Sequence, residues 1–150
     1  MFERDYLVRQ LLLFFQAMTR SWHQKEESDP RAAADTLEEA ISAATDLDGA
    51  TLLSLSPETI SQVLRVSGVD PKVVSYIAHG MLLESVYLTE AGDVPLAGTR
   101  RQQALALSQS YGFSLPEDPT DIDAANPEKE ERRKGECPEL LDIDDLAALL

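Results

Sequence analysis

The chain has 150 residues and a hydrophobic share of 43%, which is enough for one domain around a single core. Its 27 acidic and 13 basic residues leave a formal charge of −14, a surface that repels phosphate backbones and anionic lipid and so argues against nucleic acid and membranes as partners. Cys137 is the single cysteine, which excludes an intrachain disulfide and a thiolate zinc cluster and fits a reducing, cytoplasmic compartment.

The chain opens with Glu3 and Asp5 where a secretory signal would carry positive charge, so export by that route is not expected. The most apolar run, residues 11–15, is far short of the roughly 20 residues that cross a bilayer. Over residues 2–26, Leu7, Leu11, Phe14, Phe15, Met18 and Trp22 recur three or four apart, and Val8 and Leu12 widen the apolar face, predicting a helix with neighbours on two sides. The aromatic stripe of Tyr6, Phe14, Phe15 and Trp22 is read as core rather than as a docking surface.

Asp29-Pro30, Ser56-Pro57 and Asp70-Pro71 each pair a side chain able to cap free N–H groups with a proline suited to a first helical turn. Three helix starts follow from them. Gly49, Gly68, Gly92 and Gly112 stand where left-handed stop residues are expected. Between these marks Ala33, Leu37, Ala40, Ile41 and Ala44 form one helical face, and Ile60, Val63 and Leu64 a shorter one. From Pro71 onward, Val74, Ile77, Ala78 and Met81 line one side and Tyr76, Leu83 and Tyr87 another, which predicts a central helix. A last helix near residues 95–111 presents Ala104, Leu107 and Tyr111 inward, with Arg100 and Arg101 expected in solvent. The expectation for residues 2–112 is therefore five or six helices and no sheet, with Phe14, Leu37, Ile41, Ile77, Met81 and Leu107 buried.

After Gly112 the composition shifts. Pro116, Pro119 and Pro127 interrupt a stretch rich in Asp and Glu, and residues 114–150 carry 12 acidic and 4 basic side chains, a net of −8. This divides the chain into a helical domain at 1–113, an acidic flexible linker at 114–137 and a C-terminal amphipathic helix at 138–150. Leu140, Ile143, Leu146, Ala147 and Leu150 share one face of that last helix, with Asp142, Asp144 and Asp145 between them, and Leu140, Ile143, Leu146 and Leu150 are candidate protein-binding residues. Docking on its own bundle and docking on a partner are equally open.

The opening Met1-Phe2-Glu3-Arg4-Asp5-Tyr6-Leu7, followed by Arg9-Gln10-Leu11, resembles a family of small uncharacterised bacterial proteins, a domain of unknown function sometimes labelled tetratricopeptide-repeat-like. The resemblance covers residues 1–112. It implies an all-α, tetratricopeptide-like stack of antiparallel helical hairpins that binds another protein, with no catalytic residues to transfer. The chain shows no 34-residue self-similarity and no Trp-x-x-Leu-Gly pattern.

Motifs with chemistry are sparse. His23 and His79 are the only histidines and neither has a Glu-x-x-His or His-x-x-x-His companion that would set two ligands on one helical face, so both are read as structural. His79 is expected to be partly buried with a local hydrogen bond, and His23 to sit at a helix C-terminus where its charge suits the dipole. Asp46-Leu47-Asp48-Gly49 has the start of a calcium loop, but Gly stands fourth instead of sixth and Pro57 takes the place of the bidentate glutamate. Glu38 and Glu39 are read as solvated surface. No metal or cofactor is expected. The sequence names no activity, and its best reading is a non-enzymatic helical scaffold or adaptor that binds a protein partner or a second copy of itself. The alternative is an enzyme or small-ligand binder with a pocket between helices where carboxylates and His79 converge.

Overall fold

The computed structural model describes residues 2–127, which are all-helical with no strand. Six α-helices follow in order: α1 Phe2–Glu26, α2 Pro30–Thr45, α3 Gly49–Leu53, α4 Pro57–Val66, α5 Pro71–Glu90 and α6 Val94–Tyr111. A short 3-10 helix, Ile122–Ala125, comes last. The expected C-terminal helix at 138–150, with Leu140, Ile143, Leu146 and Leu150, lies outside the described residues.

Local chemistry accounts for the boundaries. Asp29, Ser56 and Asp70 each accept a backbone N–H of the following turn, from Ala32, Thr59 and Lys72 respectively, and Pro30, Pro57 and Pro71 open the helices they cap. Asp93 caps α6 in the same way through Leu96 N. Gly68, Gly92 and Gly112 have positive φ, as stop residues should. Gly49 does not. The left-handed stop of α2 is Asp46, with φ of 59°, and Gly49 instead begins α3, where a Cβ would stand 2.9 Å from the Glu38 carbonyl oxygen and 3.1 Å from Ser42 Cβ. Close approach of α3 to α2, rather than a turn, requires glycine there.

Short connections fold α2 back along α1 and α6 back along α5, and the two pairs meet where α2 packs on α5. α4 covers α6, and α1 also touches α5. α5 is central and buried on nearly every side, so its apolar residues run all round its circumference. Phe14, Leu37, Ile41, Ile77, Met81 and Leu107 all lie in the core. Gly80 lets α1 approach α5, since a Cβ there would lie 2.8 Å from Phe14 Cζ. Ser21 and Tyr87 join the same two helices by a 2.8 Å hydroxyl pair inside the core.

Residues 114–127, the described part of the expected linker, lie against the bundle. Ala125 is buried, the 3-10 helix touches α1, and Leu115 and Ile122 pack on the core. His79, buried in α5, holds this strap through a 3.0 Å hydrogen bond between Nε2 and the carbonyl oxygen of Pro119. The histidine thus has a structural bond, but its partner lies 40 residues further on rather than nearby.

Candidate functional site

Two features stand apart from ordinary helix packing: a buried charge cluster and an open groove. The cluster centres on Arg100, which is 4% exposed and not in solvent as its sequence neighbourhood suggests. Arg100 Nε donates to Glu84 Oε2 at 3.2 Å, Nη2 donates to Glu38 Oε2 at 3.1 Å, and Nη1 donates to the Leu53 carbonyl and to Gln103 Oε1, both at 3.1 Å. Gln103 Nε2 then donates to the carbonyls of Leu53 and Leu55 at 3.0 and 2.9 Å. The Leu53 carbonyl ends α3 and, as a last acceptor of the helix, has no partner within it, and the Leu55 carbonyl lies just beyond that end. The guanidinium fork and the Gln103 amide supply partners, binding α2, α3, α5 and α6 at a single point. Arg101, the next residue, is exposed.

Glu84 is fully buried, and its second oxygen, Oε1, meets no hydrogen-bond partner among the described residues. Burial pushes its carboxyl well above the ordinary range, helped by the Glu38 carboxylate on the same guanidinium and opposed by the Arg100 charge. Glu38 is buried enough for desolvation to oppose its charge, yet hydrogen bonds from Glu84 and Arg100 outweigh that and hold it below the usual value. The favoured state is a neutral Glu84 beside an ionised Glu38 and Arg100. Glu38 therefore belongs to this cluster and is only half in solvent.

The groove lies between α1 and α2. It encloses about 400 Å³, with Leu13, Phe14, Ala17, Ala40, Ala43 and Ala44 as its apolar walls and Gln10, Gln16, Arg20 and Glu39 at its polar margin. A second depression of about 530 Å³ shares Gln10, Ala43 and Ala44 with it and extends past Tyr6 and Leu7 to the turn before α5. Alanines at 40, 43 and 44 keep the α2 wall low. On the α1 wall Leu13 is 59% and Tyr6 64% exposed, so Tyr6, expected in the core with the aromatic stripe, stands in solvent at the groove's margin together with Leu13. Gln10 Nε2 donates to the Tyr6 hydroxyl at 3.4 Å along this face.

A third depression, of about 250 Å³, lies under the strap between Lys72, Ser75, Tyr76 and His79 on α5 and Leu115, Pro116 and Ala125. Burial lowers the affinity of the His79 ring for a proton, against the Pro119 bond and Asp121. None of the three depressions is lined by Glu84, Arg100 or Gln103. His79 and the buried carboxylates are thus engaged separately, one with the strap and the others with Arg100.

His23 is exposed near the end of α1, 3.9 Å from Glu26. Asp48 caps α3, accepting from Thr51 N at 3.3 Å and from the Thr51 hydroxyl at 2.6 Å, while Asp46 ends α2. The calcium-like string is spent on helix termini. Among the described residues no group of three or more His, Cys, Asp and Glu side chains is arranged to hold a metal ion, and no helix is long and apolar enough to cross a membrane. No protein-family model, no curated protein and no solved structure matches this chain.

Proposed function

We propose that the chain is a non-enzymatic interaction module, built from antiparallel helical hairpins in the tetratricopeptide-like manner, that binds an apolar helix of a protein in the groove between α1 and α2. The observation that carries this reading is the pairing of an alanine-walled groove with solvent-exposed Leu13 and Tyr6 on one continuous face. Low side chains on α2 leave room for a third helix at ordinary packing distance, and large ones on α1 supply apolar area that only a partner removes from water. The polar margin of Gln10, Gln16, Arg20 and Glu39 suits the rim of such an interface.

A photo-crosslinking amino acid at position 13 of the full chain, in the cell of origin, tests it. Leu105, 51% exposed on α6, serves as the control position. A defined protein adduct from position 13 and not from position 105 supports the reading, and adducts from both or neither overturn it.

A further inference from the structure

We propose that the occupant of the α1–α2 groove is a second copy of this chain, the two α1 helices lying antiparallel across a two-fold axis at Leu13. The proposal rests on the docking reading above and names its partner.

Tyr6, Leu13 and Arg20 are spaced seven apart, and Gln10 and Ala17 follow the first two at i+4. That is the seam of one helix packing along another. The outer positions of the seam are symmetric about Leu13, with Tyr6 and Arg20 seven residues to either side. In an antiparallel pair with its axis at Leu13, residue 13 − n of one copy lies level with residue 13 + n of the other, as a self-complementary two-fold interface requires. Tyr6 then faces Arg20 of the second copy, a phenol ring under a guanidinium. Gln10 lies beside Ala17 of the second copy on one flank, Arg9 beside Gln16 on the other, and the leucines meet each other above the alanine walls. The parallel alternative sets Arg20 against Arg20 and Tyr6 against Tyr6, and loses the complementary pair.

The same face also answers a problem of charge. A chain of net charge −14 repels its own copies, and association needs a patch where that charge is not presented. The α1 residues that line the groove, from Gln10 to Arg20, carry one cation and no acid, and Glu39 of α2 is the single acid in its lining. The seam's length, 15 residues from Tyr6 to Arg20, spans about 21 Å, and with α2 beside α1 the patch covers on the order of 400 Å² per copy. An interface of this size belongs to the small class of specific contacts, so the dimer forms and dissociates with concentration.

Sedimentation equilibrium of the full chain tests the proposal, run from about 1 to about 200 µM to cover the range of a small interface. The wild type is expected to pass from the single-chain mass of 16.5 kDa to twice that value. Leu13→Arg should stay at the single-chain mass throughout, with a helical circular-dichroism spectrum like that of the wild type, because Leu13 is outside the core. The variant Gln16→Glu sets a carboxylate beside Arg9 of the second copy across an antiparallel axis and beside no cation across a parallel one. It is expected to tighten the dimer several-fold at low salt, and dissociation instead would overturn the antiparallel arrangement. A wild type that keeps the single-chain mass at every concentration, or a Leu13→Arg variant that still doubles it, overturns the second copy as occupant. The crosslink at position 13 separates this from failure of the docking reading: an adduct with a different protein removes only the second copy, whereas no adduct removes both.

Discussion

Arg100 and Leu13 occupy each other's customary places. The arginine lies 4% exposed at the meeting point of four helices, and the leucine stands 59% exposed on the wall of a groove. Around Arg100 the fork has acceptors on three elements distant in sequence, α2, α3 and α5, and on Gln103 of its own helix. Leu13 shares the open groove with low alanines and a polar margin. The contrast separates two uses of a misplaced residue. A buried charge surrounded by its own partners serves the chain's internal arrangement, because it is satisfied in one packing of the helices and in few others. An apolar side chain left in water beside a shallow trough is satisfied by nothing within the described chain, and so points outward.

If that contrast is right, the largest stability loss in the molecule comes from Arg100. Arg100→Ala strands the Glu38 and Glu84 carboxyls and leaves the Leu53 carbonyl to Gln103 alone, and is expected to cost about 3–5 kcal/mol, a large part of the stability of a domain this size. Urea unfolding measures it. A loss below about 1 kcal/mol, the level of an exposed ion pair, would show that the cluster is wet and the comparison empty.

Phe14 sharpens the comparison from the groove side, since it is adjacent in sequence to Leu13 but buried against α5. Phe14→Ala is expected to cost about 2–5 kcal/mol through the cavity it leaves. Gly80→Ala acts on the same contact from the other helix, forcing a Cβ against the ring at 2.8 Å, and should cost about 1–3 kcal/mol. Combined with Phe14→Leu, the Gly80 penalty should shrink, because the atoms that collide are gone. Strict additivity in a double-mutant cycle would mean that α1 does not approach α5 as closely as described.

Much of this architecture could be read from local signals, because capping and helical period act within a few residues. Asp29-Pro30, Ser56-Pro57 and Asp70-Pro71 mark real helix starts, and the apolar circumference of α5 foretells its central place. Arg100 eluded that reading because its acceptors lie 16, 47 and 62 residues away, and beside Arg101 it looks like one of two surface arginines. A signal was present nonetheless: Ala97, Arg100, Ala104 and Leu107 are spaced as a single helical face, which places Arg100 among buried residues and Arg101 on the flank of that face. α3 went unseen because five residues are too few to display a period, and Gly49 looked like a stop when its role is close contact with α2. In α1, the seven-residue spacing of Tyr6, Leu13 and Arg20 was hidden inside a broader apolar pattern. Only the positions of α2 and α5 decide which part of that pattern is covered.

The smallest expected effect, and the one most specific to the cluster, is its dependence on pH. Glu84 has a folded-state pKa raised above its unfolded value, so the folded protein holds a proton that the unfolded chain releases above the ordinary carboxylate range. The stability this contributes is complete below that range and is lost as pH rises through the raised value. Glu38, held low, works in the other direction: its contribution is present above the ordinary range and fades as pH falls through its depressed value. Stability should therefore peak where Glu84 is neutral and Glu38 ionised, and decline on the alkaline side by at most about 1.4 kcal/mol per pH unit while Glu84 titrates. Glu84→Gln keeps the shape and the neutral state but has no proton to lose. Its melting temperature should be flat over the pH range in which the wild type declines, while the acid-side loss remains in both. A parallel alkaline decline in the variant would assign the pH dependence to another group and leave Glu84 ionised in the folded protein, with its second oxygen buried and unpartnered.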